Sequence, residues 1–273
     1  AGHEAIETAL LSMTMGDPRG AFLKRVDQAT AGFIDYWFRL DTQTELAALT
    51  LAIHRAVDRT TGVKLALAML LSSIIITKSG GVSLAMDLAH SRPHRVDDRI
   101  PASPIERFER SLARMVETLR NINDTIRPAS KILRADSREL PLKDNSVDLI
   151  VTSPPYANAL DYMRAHKFAL VWLGYLIPEL SRIRGEYIGT EKRLQLDVSM
   201  LPRSVTKALA ELKAKDLKKG EVLERYFTEM TVAFNEMYRV LLPNHAAVIV
   251  VGPSTMRGLR IQTHTHLAEI ARE

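Results

Sequence analysis

The stretch Val147-Asp148-Leu149-Ile150-Val151-Thr152 runs straight into Ser153-Pro154-Pro155-Tyr156, and no other segment constrains this chain as tightly. A continuous apolar strand of this kind belongs in the middle of a parallel sheet. Open α/β sheets bind ligands at the carboxyl ends of their strands, which is where the two rigid prolines and the aromatic fall. Prolines donate no backbone hydrogen bond, so their carbonyls are left as acceptors at a fixed angle. An acceptor pair formed by Ser153 and the Pro154 carbonyl, beside the face of Tyr156, suits a planar ring with an exocyclic amine. The plainer alternative is a proline turn that caps a strand, with Tyr156 buried.

The flanking patterns fit that placement. Lys131 to Ala135 reads as a short apolar strand, and Ala246 to Val251 as a third buried one after Pro243-Asn244. Between them, Glu221 to Leu242 is an amphipathic helix that sends Leu223, Phe227, Met230, Phe234, Met237 and Leu241 toward a core. Strand, connection, strand, helix, strand predicts an α/β sheet with crossover helices. Thr265 to Glu273 reads as a closing helix, and Lys207 to Lys219 as a solvated helix face.

From Glu4 to Asn121 the periodicity is helical. Phe22, Val26, Ala29, Phe33, Trp37 and Leu40 form one expected stripe, and Leu46, Leu49, Ile53 and Val57 another. Asp17-Pro18 and Thr60-Thr61-Gly62 break the helices by cap and turn chemistry. Val63 to Lys78 is expected as a buried helix, although Ile74-Ile75-Ile76-Thr77 is β-branched enough for a strand. Ser79 to Ser103 reads as an extended loop, and Ser103-Pro104 with Glu106 starts a helix that runs to about Asn121. The character changes at Arg127-Pro128, so the expected division is a helical region over 1–127 and a sheet-bearing region over 128–273.

Composition narrows the function classes. With 46% apolar and 25% charged residues the chain is globular, and its net charge of +5 permits a polyanionic partner without requiring one. Cysteine is absent, which excludes a disulfide framework, a thiolate metal site and a cysteine nucleophile. No metal site is expected. The longest apolar run, Leu65 to Ile76, is interrupted by Ser72 and Ser73 and falls well short of the ~20 residues a membrane span needs. No membrane partner and a reducing cytoplasm are the expectations.

The segment Ala135-Asp136-Ser137-Arg138-Glu139-Leu140, a short spacer, then Val147 to Tyr156 resembles adjoining motifs of the S-adenosylmethionine-dependent amino-methyltransferases of DNA, among them those of restriction–modification systems. Asn158-Ala159-Leu160-Asp161-Tyr162-Met163-Arg164-Ala165-His166-Lys167 and Val171-Trp172-Leu173-Gly174-Tyr175 are similar to that family as well. So are Ser91-Arg92-Pro93-His94-Arg95 and Val251-Gly252-Pro253-Ser254-Thr255. The resemblance implies a partial Rossmann-like methyltransferase sheet with a helical N-terminal region that grips DNA. It implies methyl transfer to an exocyclic amine, that of cytosine before adenine because the motif has the serine form. Ser153, Pro154, Pro155 and Tyr156 would then be the catalytic residues, and no covalent enzyme intermediate is needed. Asp136 would sit near the cofactor adenine, or else cap a turn. Asp161 and Lys167 would line the target pocket or form surface pairs. His90, Arg92, His94 and Arg95 would touch phosphates or lie in a solvated loop.

One departure stands against the agreement. The family's glycine-rich cofactor loop is absent upstream of Asp136, since Gly80-Gly81 lacks a convincing preceding strand and Gly252 to Gly258 follows a later one. Such a loop brings backbone amides close to the cofactor. A missing N-terminal segment, a permuted partner that supplies the loop, or a degenerate protein are the three expectations. An RNA amino-methyltransferase and a noncatalytic nucleic-acid-binding or assembly subunit are the rival functions.

Overall fold

The computed structural model describes residues 1–55, 61–77, 81–86, 93–121, 130–157, 162–188 and 201–272. The chain divides into two compact units, Ala1–Pro128 with Asp161–Arg182, and Ala129–Leu160 with Ile183–Glu273. Its character is mixed helix and sheet.

The first unit is helical, with α1 (Gly2–Met15), α2 (Pro18–Leu23), α3 (Gln28–Trp37), α4 (Leu40–Arg55), α5 (Thr61–Ile75), α6 (Pro104–Arg120), α7 (Tyr162–Leu170) and α8 (Ile177–Arg184). Cap chemistry sets the starts. Asp17 accepts from the Gly20 amide at 2.8 Å with Pro18 at the first helical position, and Asp27 accepts from the Thr30 amide at 2.8 Å. Ser103 caps α6 through the Glu106 amide and also donates to Glu45 of α4, which ties α6 to the unit's centre. That centre is α4, where Leu46, Ala47, Ala48 and Leu49 are all 0% exposed. A helix buried all round is covered by neighbours on every side, and α1, α2, α5 and α6 supply them. The turn after α7 adds Trp172, stacked on Phe22 at 5.0 Å between ring centroids.

The helix predicted over Val63–Lys78 is present as α5, with Ile74 and Ile75 helical. Two expectations here need correction. The stripe from Phe22 to Leu40 is not continuous, because Asp27 restarts the chain as α3; Ala29 and Leu40 are exposed, and Thr30, Ile34 and Phe38 are buried instead. The extended loop over Ser79–Ser103 contains a short antiparallel ladder of β1 (Ala85–Met86) and β2 (His94–Arg95). Arg99 stabilises it by donating to the carbonyls of Gly81, Ser83 and Ala85 at 2.6–2.9 Å. Gly81 is required there, since its φ is +56° and an added Cβ would meet the Ile75 carbonyl. Val57 lies outside the described residues.

The second unit contains β3 (Val147–Thr152), α9 (Arg203–Lys215), α10 (Leu217–Val240), β4 (Leu241–Ile249), β5 (Ser254–Met256), β6 (Leu259–Ile261) and α11 (Thr263–Ile270). β3 and β4 run parallel, with Leu149 beside Ala246, Ile150 beside Ala247, Val151 beside Val248 and Thr152 beside Ile249. β5 and β6 form a hairpin that turns through Arg257 and Gly258, both at positive φ. Val205, Leu209 and Leu212 of α9 pack with Leu223, Phe227, Met230 and Phe234 of α10 and with Leu267 and Ile270 of α11. Ile249 and Val251 press one sheet face onto this cluster.

The predicted strand over Lys131–Ala135 is not formed. Ile132 is 97% exposed, and among the described residues the pairing nearby is an isolated bridge between Asp136 and Glu139. A strand exists through a hydrogen-bonded neighbour, so apolar composition alone does not make one. The helix expected over Glu221–Leu242 begins earlier, where Asp216 accepts from the Lys219 amide, and ends earlier, because Leu241 already belongs to β4. β4 accommodates Pro243 and Asn244 at a register shift opposite Val147–Leu149. The strands pair two by two among the described residues, with no larger sheet. Among those residues no helix is long and apolar enough to cross a membrane.

Candidate functional site

The Ser153-Pro154-Pro155-Tyr156 corner leaves β3 at its carboxyl end and is fastened to the neighbouring strand. The Val250 amide donates to the Thr152 carbonyl at 2.9 Å, and the Ser153 hydroxyl donates to the Val250 carbonyl at 3.0 Å. With its hydrogen committed to Val250, the Ser153 oxygen offers lone pairs to an incoming donor. Pro154 is buried, Tyr156 is 41% exposed, and Ala157 returns to the core at 1%. The corner is therefore anchored on both sides of an outward-facing ring. A strand-capping turn with Tyr156 buried does not describe it.

Asp136 lies in the same unit, on the turn that its bridge to Glu139 closes. Its carboxylate accepts from the Arg138 amide at 2.9 Å and from the Arg138 guanidinium at 2.7–3.2 Å. These bonds hold the Asp136 carboxyl below the ordinary carboxylate range, with the Arg138 side chain as the main cause. The other arm of Arg138 reaches Glu229 of α10 at 3.0 Å, a carboxylate buried to 2% exposure, and the Glu186 carbonyl at 3.1 Å. Arg138 is the residue that sequence reasoning missed. The signal was present, since an arginine two positions after an Asx-type turn can reach back to it, but Glu229 is 91 residues away.

A second clamp holds the chain that leads into β3. Glu236 accepts from the Leu140 amide at 2.8 Å, and Arg239 donates to the carbonyls of Leu140 and Leu142 and to Asp144. Arg239 also pairs with Glu236 at 2.7 Å, which with the Leu140 amide pulls the Glu236 carboxyl down to about 2. Segment 136–144 is thus tied to α10 by two arginine-centred networks, one at each end.

The cationic candidates lie in the helical unit. Arg95 sits 4.6 Å over the Tyr36 ring and pairs with Asp97 at 2.8 Å, while Lys167 sits 4.9 Å over the Phe33 ring. Tyr36 and Trp37 are in edge contact at 4.9 Å, and Trp37 and Phe33 lie 6.4 Å apart, so both cations flank one aromatic row on α3. A cavity of about 620 Å³ next to this row is lined by Arg19, Arg39 and Arg95 and by Asp35, Asp41 and Asp97. The six charges balance, which makes the cavity a weak anion trap. His94 is an exposed residue of β2; His90, Arg92 and Asp161 lie outside the described residues. No cluster of His, Asp or Glu among the described residues is arranged to hold a metal.

Asp136 is half exposed, ionised and rigidly held, so it can accept hydrogen bonds from an amine or hydroxyl of a bound ligand. Gly252, two residues after the Val250 that accepts from Ser153, has open space where a Cβ would stand, so it forms no tight cradle.

Comparison with known proteins gives three relatives. Over 241 aligned residues, covering 77% of this chain, it is 25% identical to Type II methyltransferase M.AvaI from a Nostoc strain. The protein of the same name from Anabaena variabilis gives the same figures. Type II methyltransferase M.BsoBI of Geobacillus stearothermophilus is 27% identical over 138 residues, 40% of this chain and 27% of that protein. No family model matches, and no solved structure does. The chain spans about half (50%) of the length of the M.AvaI relatives. The chain is thus similar, at 25–27% identity, to Type II methyltransferases.

Proposed function

We propose that this chain carries the amine-binding half of an amino-methyltransferase that acts on DNA, with cytosine as the first candidate base. The observation that carries the reading is the corner itself, an outward Tyr156 ring beside a Ser153 oxygen whose hydrogen is already committed to Val250. Base chemistry of this type requires the base out of the stack, where it is held by stacking and by acceptors on its polar edge. Tyr156 provides the stacking face. Ser153 and the Pro154 carbonyl accept from the exocyclic amine and hold its nitrogen lone pair in one direction. The prolines keep that geometry with no N–H to compete. S-adenosylmethionine would supply an electrophilic methyl group, with Asp136 the residue of this chain that faces it. Rate enhancement here would come from positioning and electrostatics. Within this reading β3 and β4 are adjoining strands of a Rossmann-like sheet, and Arg95 and Lys167, with Arg92 and His94, serve DNA phosphates.

The test is transfer of labelled methyl groups into DNA, with the product nucleoside identified by mass spectrometry, on a protein whose cofactor wall is complete. Tyr156→Ala is expected to lower transfer by the equivalent of ~1–3 kcal/mol of base stacking, and Ser153→Ala to lower it while the thermal melt stays unchanged. Near-normal transfer by either variant removes that residue from the mechanism. DNA binding without any incorporation favours the noncatalytic subunit, and incorporation into RNA alone favours the RNA enzyme.

A further inference from the structure

The two faces of the β3–β4 sheet are treated very differently. Residues paired in a parallel register point to the same side, so Ile150, Thr152, Ala247 and Ile249 share one face; Ile249 packs on the core, Ile150 and Thr152 are half-buried, and only the small Ala247 is exposed. The opposite face carries Leu149, Val151, Val248 and Val250, which are 56%, 65%, 47% and 60% exposed. Four large apolar side chains in two adjacent rows are thereby left in water. Parallel strands are covered on both faces in folded domains, and two strands alone do not make a stable sheet. The outer edge of β3 likewise pairs with no strand among the described residues.

We infer that this face and the free edge of β3 form one docking surface for a further α/β segment, equivalent to the part of the M.AvaI relatives outside the match. The occupant's strand runs parallel to β3, and its helix covers Leu149, Val151, Val248 and Val250. Three observations select this occupant. Half of each M.AvaI relative lies beyond the matched residues, which is ample chain for such a segment. A strand that joins a parallel sheet brings a crossover helix onto one face, so one unit meets both needs. A second copy does not, because two β3 edges paired about a two-fold axis perpendicular to the sheet run antiparallel and bring no crossover helix onto the exposed face. The surface ends at Ser153, so the same occupant would supply the second wall of the cleft. Only the identity of the occupant rests on the methyltransferase reading.

The probe is the part of the Nostoc relative outside the match, coexpressed as a separate polypeptide with the full 273-residue chain. Edge pairing uses main-chain hydrogen bonds, so modest sequence identity is no bar to binding. The expected result is a one-to-one complex in which amide exchange at 147–152 and 246–250 slows by on the order of tenfold or more. Val151→Lys and Leu149→Gln, each at an exposed position, should abolish that protection while the chain alone melts as before. Absence of a complex, a complex without protection at these strands, or protection already present in a homodimer of the chain alone would each overturn the proposal. A protected complex that fails to bind S-adenosylmethionine leaves the docking surface standing and removes the methyltransferase reading.

Discussion

The helix α4 and the strand β3 are both apolar runs, and they end in opposite environments. Leu46 and Leu49 of α4 are 0% exposed within a shell of helices, whereas Leu149 and Val151 of β3 are 56% and 65% exposed. Periodicity and composition say that an element needs cover. They do not say whether the cover comes from nearby chain. The α4 shell is local, built from helices on either side of it in sequence, so the helical unit closes on itself. A parallel strand needs neighbours delivered through crossovers, and the sheet unit has one such neighbour on one side.

Core truncation should break the comparison most sharply. Phe227→Ala in α10 and Leu49→Ala in α4, both at 0% exposed positions, should destabilise by about 3–5 and 2–5 kcal/mol respectively in urea unfolding. Val151→Ala should stay within about 0.5 kcal/mol. If Val151→Ala instead matches Leu49→Ala, the exposed face is covered in solution and the contrast between the two elements disappears.

Arg138→Leu comes next. It removes the guanidinium that joins Asp136 to the buried Glu229, and loss of a charge-assisted bond of this sort is worth about 1.5–3 kcal/mol. The sheet unit should lose that stability with no change in the helical unit, read from amide exchange in each. An equal loss in both units would show that they unfold together.

Acid sharpens the same distinction. The Glu236 carboxyl is held at about 2, well below its ordinary value of 4.5. Its contribution is therefore complete above pH 4.5 and declines as the pH falls toward 2, because the unfolded chain takes up the proton first. Urea midpoints for the sheet unit should fall across that window, and Glu236→Gln should flatten the fall. A slope unchanged by the substitution would move the acid sensitivity elsewhere.

The smallest effect is expected at Arg95. Its guanidinium lies over Tyr36 and its partner Asp97 is 77% exposed, so Arg95→Ala should cost about 0.5–1 kcal/mol through the ring contact. If Arg95 also meets phosphate, the salt dependence of DNA affinity should flatten by a similar factor on every DNA sequence. An unchanged slope in fluorescence anisotropy confines Arg95 to packing within the helical unit.

Elements bounded by short-range chemistry were legible in the sequence. β3 has the predicted limits because the prolines after Thr152 end it, and α6 starts at Ser103-Pro104 because cap and first-turn rules act within a few residues. The Ser153–Tyr156 corner was legible for the same reason. Lys131–Ala135 was misread because a strand is decided by a neighbour, and β1–β2 was missed because two-residue ladders leave no periodic trace. The Ser153–Val250 bond spans 97 residues and the Arg138–Glu229 bond 91, distances over which no local pattern carries information.

The amino-acid sequence alone determined where α6 begins, where β3 runs and which corner ends it, and that no cysteine chemistry is possible. Only the tertiary structure decided which partner orients Ser153, which arginine holds Asp136, and which face of the sheet is left in water. The first set depends on sterics and hydrogen bonding within a few residues. The second depends on which distant backbone comes alongside, and the strand's own residues carry no record of it.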